Sequence, residues 1–77
     1  MEFRVELTFP PSLKEEPIIC ELAKKFDISF NIIEASFSTN VGWVIFVLRG
    51  NKEALKKSFD FLKKRGVTIS SATQVRA

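Results

Sequence analysis

Histidine is absent from this chain and cysteine occurs once, at Cys20. Transition metals therefore lose their usual ligands, and a single thiol can build neither an intrachain disulfide nor a cysteine-ligated zinc or cluster site. The three glycines form no glycine-rich loop, so neither a phosphate cradle nor a glycine-bearing RNA-recognition signature is present. No apolar run approaches the roughly 20 residues needed to span a bilayer. Glu2 and Arg4 follow Met1 directly, which leaves no room for a signal peptide and makes the cytoplasm the expected location. Charge is nearly balanced: twelve basic against nine acidic residues give +3. Much of the excess lies in Lys52, Lys56, Lys57, Lys63, Lys64 and Arg65, which reads as the solvated face of a helix. No Arg–aromatic alternation accompanies it, so no nucleic-acid partner is expected.

Enzymatic chemistry has no foothold either. No nucleophile–base arrangement is legible, Glu34 near Asn31 is ordinary surface chemistry, and Arg4 or Arg49 without a phosphate-binding loop does not make an acyl-phosphate site. No catalytic residue, metal or cofactor is expected. Cys20, among Ile18, Ile19 and Leu22, reads as core filler.

What the chain does have is apolar mass. Of its 77 residues 45% are hydrophobic, including eight Phe and one Trp. That is ample for one packed domain, residues 1–77, but a chain of this length buries only roughly 60–65% of its unfolded surface. Phe3, Val5, Leu7 and Phe9 alternate with Glu2, Arg4, Glu6 and Thr8, a strand with one dry and one wet face, and Pro10-Pro11 ends it. Ile18, Leu22 and Phe26 then recur at helical spacing behind Glu15, Glu16 and Pro17, with Ile19 and Ala23 widening the stripe. A second strand spans about Ser29 to Phe37. The turn residues Ser38-Thr39-Asn40-Val41-Gly42 predict a hairpin into a third strand, Trp43 to Arg49. Asn51 reads as the N-cap of a second helix carrying Leu55, Phe59 and Leu62, closed by Gly66. Val67 and Ile69 open a short final strand, which Ala72 and Val75 extend or follow.

This order, β-α-β-β-α-β, with right-handed crossovers, predicts an α+β ferredoxin-like sandwich. Its four-stranded antiparallel sheet has the order 4-1-3-2, with both helices on one face. The second and third strands are apolar on both sides, although a sheet with one wet face should alternate. Ile33, Phe37, Trp43, Ile45 and Val47 are therefore expected to form a lopsided apolar patch on the outer face, covered by a partner subunit or a ligand, unless a bulge or register slip turns some of them inward.

Arg4-Val5-Glu6-Leu7-Thr8-Phe9, the helix Pro17 to Phe26, and Asn31-Ile32-Ile33 resemble the NIL domain. That family is named for an Asn-Ile-Leu motif, and Ile33 here replaces the leucine, a volume-conserving change. The hairpin glycine, the apolar strand after it and Gly66-Val67-Thr68-Ile69 also fit, so the resemblance covers nearly the whole chain. NIL domains are similar to ACT domains and occur at the C-terminus of methionine-importer ATPases, where methionine binds and inhibits transport. They also precede two-cluster ferredoxin segments in proteins of sulfur-amino-acid metabolism. Ser70-Ser71-Ala72-Thr73-Gln74-Val75 looks closer to that ferredoxin-linked branch, but its cluster cysteines are missing. No ATPase domain precedes the chain either, and Met1 lies close to the first strand, so a free-standing protein is expected rather than a fragment.

The resemblance implies a regulatory module that senses methionine or a related sulfur amino acid at a homodimer interface. Asn31 would supply the polar contact, with Ile33, Phe37 and Trp43 as the apolar wall. Ile33, Phe37, Trp43, Ile45 and Val47 would form the dimer contact, by edge pairing or by face packing. An ABC transporter or a sulfur-metabolism enzyme is the implied partner. The second reading is a dimerisation module without a ligand, and neither reading involves insertion into a membrane.

Overall fold

The computed structural model describes residues 1–13, 16–38 and 40–77. Glu15, expected to favour the helix start, and Thr39 of the expected turn lie outside the described residues. Strand β1 spans Glu2–Phe9, α1 Ile18–Lys25, β2 Ser29–Phe37, β3 Gly42–Arg49, α2 Lys52–Lys64 and β4 Thr68–Arg76, with a short 3-10 turn at Pro11–Leu13. The four strands form one antiparallel sheet in the order β2-β3-β1-β4, the expected ferredoxin-like topology with β1 and β3 central.

Alternation in β1 and β3 decides which face is dry. Val5, Leu7 and Phe9 pair with Phe46, Val44 and Gly42, and Phe3 pairs with Leu48. Antiparallel partners share a face, so these residues form one apolar floor. Ile18 and Leu22 of α1 and Leu55 and Leu62 of α2 press onto that floor, and with Val67 they close a core in which no side chain is more than 5% exposed. Aromatic rings fill the margins: Phe30 meets Phe46 at 5.4 Å, Phe26 meets Phe61 at 5.6 Å, and Phe3 meets Phe59 edge-on at 5.9 Å.

Helix α2 has sharp ends because its sequence supplies both caps. The Asn51 side chain accepts from the Ala54 amide at 2.8 Å. At the other end Gly66 adopts φ +88°, and the amides of Gly66 and Val67 donate to the carbonyls of Lys63 and Leu62, the Schellman arrangement. Ser58 is fully buried on the inner face and satisfies itself by donating to the Ala54 carbonyl at 2.7 Å.

Two expectations change here. Cys20 is exposed, not core, because Ile18 and Leu22 turn toward the sheet and a residue two positions from each points away from it. The last strand is not short: β4 runs nine residues to Arg76 and pairs along the length of β1, with register shifts between Glu2 and Phe3 and between Glu6 and Leu7.

Candidate functional site

Both helices lie on one side of the sheet, which leaves the other side without a covering layer. On that outer face β3 presents Trp43, Ile45 and Val47, each partly buried, while Val44, Phe46 and Leu48 point into the core. Their neighbours in register are polar: Thr8, Glu6 and Arg4 on β1, and Ser36, Glu34 and Asn31 on β2. The outer face is therefore a single apolar stripe running down the middle of a polar sheet.

A bulge in β2 explains why the stripe is narrower than the sequence suggests. Ile32 sits opposite Phe46 and Glu34 opposite Ile45, so Ile33 is an extra residue without a partner of its own. One extra residue inverts the faces of everything beyond it. Phe30 and Ile32 lie on the helix side of the sheet before the bulge, and Ala35 and Phe37 after it, although at this edge Ile32 and Phe37 stay about half exposed. Phe37 is thereby corrected out of the outer patch, since it pairs with Gly42 on the helix side and meets Phe9 at 5.8 Å. Its ring lies over Gly42 so closely that any side chain at position 42 would collide with it. There Phe37 helps line an apolar cleft of about 230 Å³ with Leu13, Ile18, Ile19 and Cys20. Ile33 stays exposed at the bulge.

Asn31 lies at the opposite end of the stripe from Trp43. It pairs with Val47, whereas Trp43 pairs with Ser36, so the two are four β3 residues apart, about 13 Å along the strand. One small amino acid does not bridge that distance. What surrounds Asn31 is a polar cleft of about 160 Å³ lined by Glu2, Ser29, Phe30, Val47 and Arg49. Among the described residues the Asn31 side chain makes no hydrogen bond, so its amide is available to donate and accept.

Across the cleft Arg49 grips Glu2, with Nε and Nη2 donating to one carboxylate oxygen at 3.1 and 2.7 Å. Arg76 adds a longer contact at 3.9 Å. The Arg49 hydrogen bond is the main reason the Glu2 carboxyl is held below the ordinary carboxylate range. The charges of Arg49, Arg76 and the amino terminus add to it, and desolvation works against it. The sequence alone does not mark Glu2 or Ser29 as site residues, and it offers Arg49 only as an arginine without a phosphate-binding loop. Their signal was the antiparallel register: once Gly42 fixes the hairpin, Arg49 falls opposite both Ser29 and Glu2. Among the described residues no three His, Cys, Asp or Glu side chains converge as metal ligands, and no helix is long and apolar enough to cross a membrane.

The NIL domain family model matches residues 3–71, and the chain belongs to this family. It is 36% identical over 72 residues to the methionine import ATP-binding protein MetN 2 of Oenococcus oeni, a match covering 88% of this chain and 20% of that protein. A second relative, the uncharacterized protein ssr2439 of Synechocystis sp., is 33% identical over 70 residues, which cover 88% of this chain and 72% of that one. The chain thus spans about a fifth of the transporter protein but most of the cyanobacterial one. Among solved structures, the C-terminal domain of an ABC transporter/ATP-binding protein from Enterococcus faecalis superposes with a TM-score of 0.70 at 19% identity, covering 88% of this chain and 82% of that one. That likeness shows a shared fold.

Proposed function

We propose that this NIL domain is a regulatory ligand-binding module that senses methionine or a related sulfur amino acid at an interface between two copies of the chain. The observation that carries the reading is the Asn31 cleft on the sheet face that no helix covers. Its groups suit a zwitterion: the Asn31 amide donates and accepts, and the Arg49–Glu2 pair, joined through one carboxylate oxygen, keeps Arg49 Nη1 for a carboxylate and Glu2 Oε2 for an ammonium. Val47 beside them, with Ile45 and Ile33 farther along, offers an apolar path for a thioether side chain. Relatives named as methionine import ATP-binding proteins make methionine the first ligand to test, and an ABC transporter the first partner.

Size argues for the second copy. Ligand sites commonly enclose about 300–1,000 Å³, and this cleft holds about 160 Å³. A partner sheet laid over the stripe would roof the cleft and bury Trp43, Ile45, Val47 and Ile33 together. Trp43 then acts in the contact between copies, not in the ligand wall beside Asn31. A ligand-free dimerisation module is the second reading, favoured by the exposed nine-residue edge strand β2. Thermal unfolding with and without 10 mM methionine separates the two. Stabilisation that Asn31→Ala abolishes supports sensing, and a dimer indifferent to methionine supports the second reading.

A further inference from the structure

Three lysines of α2 border a groove. Lys52, Lys56, Phe59, Asp60 and Lys63 recur at i, i+4, i+7, i+8 and i+11, so they share one flank of the helix, beside the buried stripe of Leu55, Ser58 and Leu62. With Met1 and Phe3 of the neighbouring chain start they line a groove of about 430 Å³. Phe3 and Phe59, in edge-on contact, form an apolar floor, and both remain partly accessible. Lys52 to Lys63 spans eleven residues, about 16 Å of helix. Among the described residues these three lysines enter no ion pair, whereas the adjacent Lys57 is held by Glu53 at 3.0 Å. The groove is thus an apolar trough whose rim carries three cations against the single anion Asp60.

We propose that this groove docks an acidic segment of a partner protein, with one large apolar side chain over Phe3 and Phe59 and flanking carboxylates pairing with Lys52, Lys56 and Lys63. Charge complementarity selects that occupant. A continuous phosphate backbone would have to pass Asp60 at close range, while a peptide can place its carboxylates on either side of it. The apolar floor rewards a buried side chain, which a purely electrostatic contact would leave unused. The groove lies in the helical layer, on the other side of the sheet from the Asn31 cleft, so docking there is read separately from amino-acid binding.

The test is a titration of the isotope-labelled chain with a synthetic amphipathic peptide carrying Glu on one flank and Leu and Phe on the other. Amide shifts are expected at Phe3 and along Lys52 to Lys63. The Lys56→Glu/Lys63→Glu double variant, whose changes are exposed and spare the core, should bind about tenfold more weakly, because two surface charge pairs become repulsive. Raising the salt should weaken binding several-fold. Absence of shifts at millimolar peptide overturns the proposal. So does equal binding of a lysine-for-glutamate peptide, or tighter binding at these residues by a single-stranded oligonucleotide or by decanoate.

Discussion

Replacing Trp43 by aspartate tests whether the outer stripe is an interface between copies. Trp43 sits on β3 with its neighbours Thr8 and Ser36 on either side, outside the core cluster. The fold should therefore survive the change, at a cost of about 1 kcal/mol from lost strand propensity and cross-strand packing. Association should not survive it. A Trp side chain offers roughly 150–250 Å², and since Trp43 is already mostly buried, about 50 Å² remains to be covered by a partner. At about 25 cal/mol per Å² that is roughly 1.2 kcal/mol per copy, and a two-fold interface counts it twice. Losing ~2.5 kcal/mol weakens dimerisation by about two orders of magnitude, before any cost of burying an unpaired carboxylate. Sedimentation velocity across micromolar concentrations reads this directly. A wild-type dimer and a folded, monomeric W43D variant are expected. A variant that stays dimeric, or a wild type that is monomeric throughout, refutes the stripe as an interface.

Other consequences concern the scaffold. Phe46→Ala, at a fully buried position paired with Val5 on β1 and Ile32 on β2, should cost about 3–5 kcal/mol in urea unfolding. Asn51→Ala removes the α2 cap and Gly66→Ala forces a side chain into the left-handed region at φ +88°; each should cost about 1 kcal/mol by the same assay, with effects that add, since the sites are at opposite helix ends. Glu2 gives a pH signature. Its folded pKa lies below the unfolded one, so its contribution is present above the unfolded value and is lost as pH falls through the folded one. Wild type should lose stability through the acid range more steeply than Glu2→Gln, as measured by thermal melts from pH 6 to pH 3.

Much of this molecule could be read from the chain because β1, β3 and α2 each carry an undisturbed period with clear end signals. Glu2–Phe9 alternates, Asn51 and Gly66 bracket a helical stripe, and Pro10-Pro11 and Gly42 punctuate the strands. The parts that escaped are those where period and face decouple. In β2 the apolar residues seemed to occupy both faces, but with Ile33 bulged out Phe30, Ile32, Ala35 and Phe37 all turn to the helices. Only β3 is apolar on both sides. A bulge leaves no composition signature in Phe30-Asn31-Ile32-Ile33-Glu34, so alternation alone puts Phe37 on the outer face. Strand β4 escaped for a different reason: Ser70 to Arg76 has little apolar alternation and is held by backbone pairing with β1 across two register shifts. The charged lining of the Asn31 cleft comes from chain positions as distant as Glu2 and Arg49, and only register brings them together.

Whether a sulfur amino acid binds beside Asn31 is decided by calorimetric titration of methionine into the folded chain, in parallel with Asn31→Ala and Arg49→Ala variants. Saturable binding at one equivalent site per chain, weakened about tenfold or more by either substitution as a hydrogen bond to a charged group is lost, is the predicted result. Heat of dilution alone at 10 mM methionine, or binding that both variants retain at full strength, would contradict it.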